Sequence, residues 1–154
     1  MSNNPSNPIR YSHGFTLVEL MVTVLIIAIL ASIAYPNYLH IITRTRRHDG
    51  QAGLIDLANR MEQYYALNHT YQTATLATGK KTDILDVNQS PQGWYKFAIE
   101  SVSPQHYSLH AIPLKAQAIH DNHCQTLTFN DLGIRGITHG PQGQPKGQRD
   151  ECWI

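Results

Sequence analysis

The chain has 154 residues, with 12 Lys and Arg against 11 Asp and Glu and a formal charge of +1. A balance this close to neutrality excludes wholesale electrostatic capture of nucleic acid. The length suits one small globular domain once a membrane segment is set aside.

Residues 1–14 form a polar leader whose one Lys or Arg is Arg10. From Phe15 to Tyr35 the chain is apolar or uncharged except for Glu19. About 20 such residues, at about 1.5 Å rise each, cross a hydrocarbon layer about 30 Å thick, so 15–35 reads as a transmembrane helix. A secretory signal needs a shorter apolar core, basic residues ahead of it and a small-residue cleavage site behind, and the polar leader fits that poorly. A carboxylate inside the apolar layer is costly unless a positive group meets it. The span supplies none. A cut after Gly14 would create one, the α-amino group of Phe15, charged near neutral pH. On a neighbouring helix displaced along its axis that amine would meet Glu19, making the carboxylate a register mark for assembly.

The run Gly14-Phe15-Thr16-Leu17-Val18-Glu19-Leu20-Met21, continued by Val22 to Ala34 and Pro36, resembles the processing motif of type IV prepilins, shared with the pseudopilins of type II secretion. The resemblance implies a prepilin peptidase that cuts between Gly14 and Phe15, methylation of the new N-terminal Phe15, and Glu19 as the assembly glutamate. It also implies a leader peptide (1–14), a transmembrane and assembly helix (15–35) and a periplasmic globular domain (36–154). The subunit would sit in the bacterial inner membrane and pass into an extracellular pilus. Arg44, Arg46 and Arg47 flank the span on the wrong side for that orientation by the positive-inside rule. The resemblance and the cysteine pair outweigh them.

Beyond the span, Pro36 lacks a backbone donor and predicts a kink in a continuing helix. Leu54, Leu57, Ala58, Met61, Tyr64 and Tyr65 recur at helical spacing opposite Asp56, Arg60 and Glu62, an apolar stripe suited to packing on a sheet. Gly50 and Gly53 weaken this helix locally, and Asn68 ends it. Residues 70–90 read as a long connection, the kind of segment that carries recognition in a small exported domain. Alternation then places strands at Tyr95, Phe97 and Ile99, at Tyr107, Leu109 and Ala111, at Leu127 and Phe129, and from Ile134 to Ile137, with a loop led by Pro113 between the second and third. Residues 139–149 read as loop. The expected class is α+β, a long N-terminal helix, half transmembrane and half amphipathic, packed on an antiparallel sheet of three or four strands. An even cysteine count in an exported small domain favours a disulfide between Cys124 and Cys152.

That order of parts is again similar to type IV pilins. Met61-Glu62-Gln63-Tyr64-Tyr65, Asn68, Thr70-Tyr71, Cys124 to Phe129, Gly133 and Cys152-Trp153 resemble the PilE-type minor pilins. The resemblance implies a structural subunit supporting pilus biogenesis, adhesion, twitching motility or DNA uptake. Its partners would be other pilin subunits, the peptidase and the inner-membrane assembly machinery. Two alternatives stand beside it. One is a DNA- or surface-binding pilin module resting on Lys80, Lys81, Lys146 and Arg149. The other is a type II secretion pseudopilin, whose common form carries a calcium loop in place of the cysteine bridge.

No enzyme is expected, because no phosphate loop or activated nucleophile is recognisable. No cofactor or metal is expected either. His106, His110, His120 and His123 read as scattered and solvated, and a cysteine in a disulfide cannot serve zinc as a thiolate. The sequons at Asn68 and Asn88 are short patterns, discounted, and Arg44, Arg46 and Arg47 read as a solvated helix face.

Overall fold

The computed structural model describes residues 14–153. Most of the leader, 1–13, lies outside the described residues, as does Ile154. Helix α1 (Leu17–Asn68) runs for 52 residues and includes Pro36. The chain divides between Tyr38 and Leu39 into two compact units.

In the N-terminal unit every described side chain from Gly14 to Tyr38 is exposed, including Phe15, Leu17, Leu25, Ile33 and Tyr35. An apolar helix with no buried face has nowhere in water to put that surface, which is the pattern of a membrane span.

The C-terminal unit holds the rest of α1 and a four-stranded antiparallel meander in the order β1 (Tyr95–Val102), β2 (Tyr107–Pro113), β3 (Thr126–Asn130) and β4 (Arg135–Thr138). Residues 103–106 close the β1–β2 hairpin, whose register slips once between Ile99 and Ser101. Period-two burial puts Tyr95 and Phe97 of β1, and Tyr107, Leu109 and Ala111 of β2, on one face. Against that face lies the helical stripe of Leu54, Leu57, Ala58 and Met61, and Leu127 completes the core.

The two helical glycines have a sharper role than softening. A Cβ on Gly50 would stand 2.7 Å from the Tyr95 ring, and one on Gly53 would overlap Phe97 Cζ. Both glycines are buried, and their bare backbone lets two aromatic rings lie directly on the helix.

Two short helices fall where the sequence reads as loop. Helix α2 (Lys115–His120) follows Pro113, and α3 (Arg149–Cys152) closes the tail. Each is too short for helical periodicity to register. At the start of α3 the Glu151 carboxylate accepts the Gln148 N–H at 2.9 Å, and Gln148 is not among the residue types that mark a helix start in a sequence.

Candidate functional site

At the N-terminus, Thr16 precedes the first helical residue and its Oγ1 accepts the Glu19 backbone N–H at 3.3 Å. Thr16-Leu17-Val18-Glu19 is therefore also a capping sequence, with Glu19 in the first turn of α1, where the helix dipole favours a negative charge. Sequence reading at Glu19 missed this local role. The side chains of Phe15 and Glu19 are both exposed. Nothing among the described residues covers them.

The connection between α1 and β1 is ordered around one carboxylate. Asp83 accepts the hydroxyls of Thr75 at 2.6 Å and Thr78 at 2.8 Å, together with the backbone N–H groups of Thr78 at 2.7 Å and Lys80 at 3.0 Å. The bond from Thr75, followed by those from Thr78 and Lys80, pulls the Asp83 pKa down to about 2. Thr75 and Asp83 also pair as an isolated bridge. The segment is thereby a closed loop with exposed Lys80 and Lys81 at its tip, and neither lysine makes an ion pair among the described residues.

Three arginines follow the span, and the structure separates their roles. Arg47 does not belong to a solvated face. Its side chain is 11% exposed, and it donates from Nε and Nη2 to both oxygens of Asp121, which is fully buried. Gln117 Nε2 and the Tyr95 hydroxyl also donate to Asp121 Oδ2. Burial beside that carboxylate drives the Tyr95 hydroxyl pKa far up.

Arg46 instead lies over the face of Trp94, 3.7 Å from the ring centroid, and Lys115 Nζ approaches the same ring at 5.9 Å. Arg44 is exposed. Trp94 stands just ahead of β1, and its partners come from α1 and α2.

Cys124 and Cys152 form the expected disulfide, and both are fully buried. The bridge seats the neighbouring Trp153, whose indole N–H donates to Gly136 O on β4 at 2.7 Å. Gln51 of α1 donates to Cys152 O. A shallow pocket of about 340 Å³ opens beside it, lined by Ile134, Arg135, Arg149, Asp150 and Trp153. Among the described residues, His106 pairs with Asp131 at 2.7 Å, and His123 with Glu151 at 2.9 Å.

Comparison with known proteins gives two family matches. A family described as type IV minor pilin ComP, DNA uptake sequence receptor, matches residues 36–128, and the prokaryotic N-terminal methylation motif matches residues 9–35. The type II secretion system core protein G of Escherichia coli (strain K12) is 30% identical over 88 residues, covering 54% of this chain and 61% of that protein. The chain thus spans less than two thirds of that relative's length. The type IV wide pilus major component PilA4 of Thermus thermophilus is 33% identical over 103 residues, covering 65% of this chain and 72% of that protein. Among solved structures, the Neisseria meningitidis non-core minor pilin PilV superimposes with a TM-score of 0.49 at 24% identity, covering 70% of this chain and 97% of that one. The match to the receptor family ends within β3, so β4, the C-terminal pocket and α3 lie outside it.

Proposed function

The chain belongs to the type IV minor pilin family, and from that premise we propose that it is a pilus subunit, cut between Gly14 and Phe15, methylated on Phe15, and built into the fibre through α1. The observation that carries this reading is the bare apolar helix from Leu17 to Tyr35 with Glu19 in its first turn. A helix exposed on all sides needs lipid first and other helices afterwards. Within a fibre, the Phe15 amine of one subunit neutralises Glu19 of the next, and the globular unit faces outward. In this reading the chain is structural and has no catalytic centre. Before assembly the globular unit sits in the periplasm, anchored in the inner membrane, and its partners are the peptidase, the assembly machinery and other pilins.

Two measurements test the reading. Mass spectrometry of the mature protein should show an N-terminus at Phe15 carrying one methyl group. Glu19→Ala should leave a protein that is made and cut but absent from sheared fibres, and Glu19→Gln, which keeps the shape and removes the charge, should behave the same way. Normal incorporation of both variants would overturn the pairing of amine and carboxylate.

A second reading has its own support. The matching family is described as a receptor for DNA uptake sequences, and the Asp83 loop presents Lys80 and Lys81 free of internal ion pairs. We infer that this loop tip contacts DNA phosphates, adding recognition to the structural role.

A further inference from the structure

The basic cluster around Trp94 is distinct from the Lys80 and Lys81 loop. Arg46 from α1 stacks on Trp94 at 3.7 Å, and Lys115 from α2 faces the same ring at 5.9 Å. Arg44, Arg46 and Lys115 make no salt bridge among the described residues. The acid Asp49, one turn after Arg46 in α1, is buried, its Oδ1 accepts the Gln92 N–H, and it makes no ion pair with these cations.

Two features show that the cluster is built. The Trp94 carbonyl accepts the Leu114 N–H at 2.8 Å, tying the start of α2 to β1. Lys115 itself has φ +52°, a left-handed conformation that costs free energy in a residue with a Cβ and that here accompanies an amine held beside Trp94.

In sequence, the two arginines of the cluster also follow closely on the membrane span. Arg44 and Arg46 come nine and eleven residues after Tyr35 in the sequence, a stretch worth no more than about 17 Å of helical rise. The headgroup layer adds about 5 to 7 Å to each side of the hydrocarbon, and surface charge is felt for about 8 to 10 Å beyond it. Arginine reaches several ångströms further on its own stem. A half-buried indole flanked by cations is the side-chain chemistry of an interfacial anchor.

We propose that Arg44, Arg46, Lys115 and Trp94 form a docking surface for anionic phospholipid headgroups, engaged while the subunit is resident in the membrane and released on its extraction into the fibre. This rests on the membrane-resident stage proposed above. Anionic lipid is the occupant because the patch is cationic, unpaired and joined by a short stretch of helix to a span that already lies in lipid.

The test uses the full-length chain in nanodiscs of phosphatidylcholine, with or without about 30% phosphatidylglycerol, a fraction chosen to give an appreciable surface potential. A headgroup spin-labelled lipid quenches nearby indoles, and subtracting the signal of a Trp94→Phe variant isolates Trp94 from Trp153. The expected result is stronger Trp94 quenching in the anionic discs, lost at high salt. Arg44→Gln and Arg46→Gln should each lower the docked-to-undocked ratio about fivefold. Lys115→Gln, on a different element, should act in the same direction and guards against a folding defect in either arginine variant. Equal quenching in both lipids overturns the docking surface alone. So do arginine variants that lose DNA binding but keep the quenching. A chain that does not co-elute with nanodiscs at all overturns the membrane-resident stage, and the docking with it.

Discussion

Arg47 and Asp121, 74 positions apart, meet as a bidentate pair, Nε to Oδ2 at 3.0 Å and Nη2 to Oδ1 at 2.8 Å, with the carboxylate wholly out of solvent. Removing one partner leaves the other charge buried and alone. Arg47→Ala or Asp121→Ala is expected to cost about 3 to 5 kcal/mol in a denaturant titration of the oxidised protein. Arg60→Ala, which breaks the exposed i,i+4 pair with Asp56, should cost under about 1 kcal/mol. A double replacement by apolar residues of similar volume should cost less than either single change. Similar losses at Arg47 and Arg60 would refute the distinction.

The glycines of α1 give an opposite-sign test. On an exposed helix Gly→Ala stabilises by up to about 1 kcal/mol. At Gly50 a methyl group would stand 2.7 Å from Tyr95, and at Gly53 it would overlap Phe97. Gly50→Ala and Gly53→Ala are therefore expected to destabilise by about 1 to 3 kcal/mol, read as a lower urea midpoint. A raised midpoint in either variant would show that the rings yield at no cost.

These residues also mark what the sequence could and could not say. The stripe from Leu54 to Met61 and the alternation at Tyr95, Phe97, Tyr107, Leu109 and Ala111 were legible, because burial follows the period of a helix or a strand directly. The four strands and the Asn68 helix end follow from such local signals, and the cysteine bridge from an even cysteine count in an exported domain. Arg47 and Arg46 were misread because Asp121 and Trp94 are distant in sequence and nothing local distinguishes a paired or stacked arginine from the exposed Arg44. Gly50 and Gly53 looked like weak points, since the rings that need their bare backbone lie on another element. The Asp83 loop is a third case. Threonines, lysines and one aspartate have the composition of any connection, and only folding brings four donors onto one carboxylate.

The disulfide closes 28 positions of sequence separation. A loop of that length confines the unfolded chain enough to contribute about 3 to 4 kcal/mol. Cys124→Ser with Cys152→Ser should lower stability by that order and also free the Trp153 indole from Gly136. Thermal melts with and without reductant check the first effect, and Trp153 fluorescence the second, against a Trp94→Phe background. An unchanged melt on full reduction would place the closure of this tail in packing rather than in the bridge.

Alkaline pH acts on a buried tyrosine group. Burial, with the bond that its hydroxyl donates to Glu62, raises the Tyr71 pKa to about 12, and the same causes push Tyr107 higher still. A tyrosine whose folded pKa exceeds its unfolded value near 10 stabilises the fold fully below pH 10, and that contribution is lost as pH rises toward 12. The chain has eight tyrosines. In absorbance at 295 nm, Tyr71, Tyr95 and Tyr107 should stay silent at pH 11 while the exposed ones ionise, then appear together with unfolding. Glu62→Gln should bring Tyr71 down toward its ordinary value. Ionisation of every tyrosine in one smooth step near pH 10 would contradict the burial.

Salt dependence separates recognition by the Asp83 loop from general stickiness. Each Lys–phosphate contact with duplex DNA releases about one counterion, so the slope of log affinity against log salt counts the contacts. For the full-length chain in detergent, Lys80→Gln and Lys81→Gln should each weaken binding to a DNA duplex and reduce that slope by about 1. Lys96→Gln, on the exposed face of β1, should leave the slope unchanged. Asp83→Asn tests the preorganisation itself. It keeps both lysines but weakens the bonds from Thr75, Thr78 and Lys80 that fix the tip. Neutralising the carboxylate would by charge alone strengthen phosphate binding, so a fall in affinity isolates the cost of ordering the loop on binding instead of beforehand. The wild-type carboxylate, with its pKa lowered from 3.8 to about 2, should hold the loop fully above about pH 4, and its stabilisation is lost as pH falls from there through about 2. Slow amide exchange at Thr78 and Lys80 above about pH 4 would show the loop intact. A DNA slope unaffected by either lysine would remove this tip from the receptor surface, whatever the rest of the chain binds.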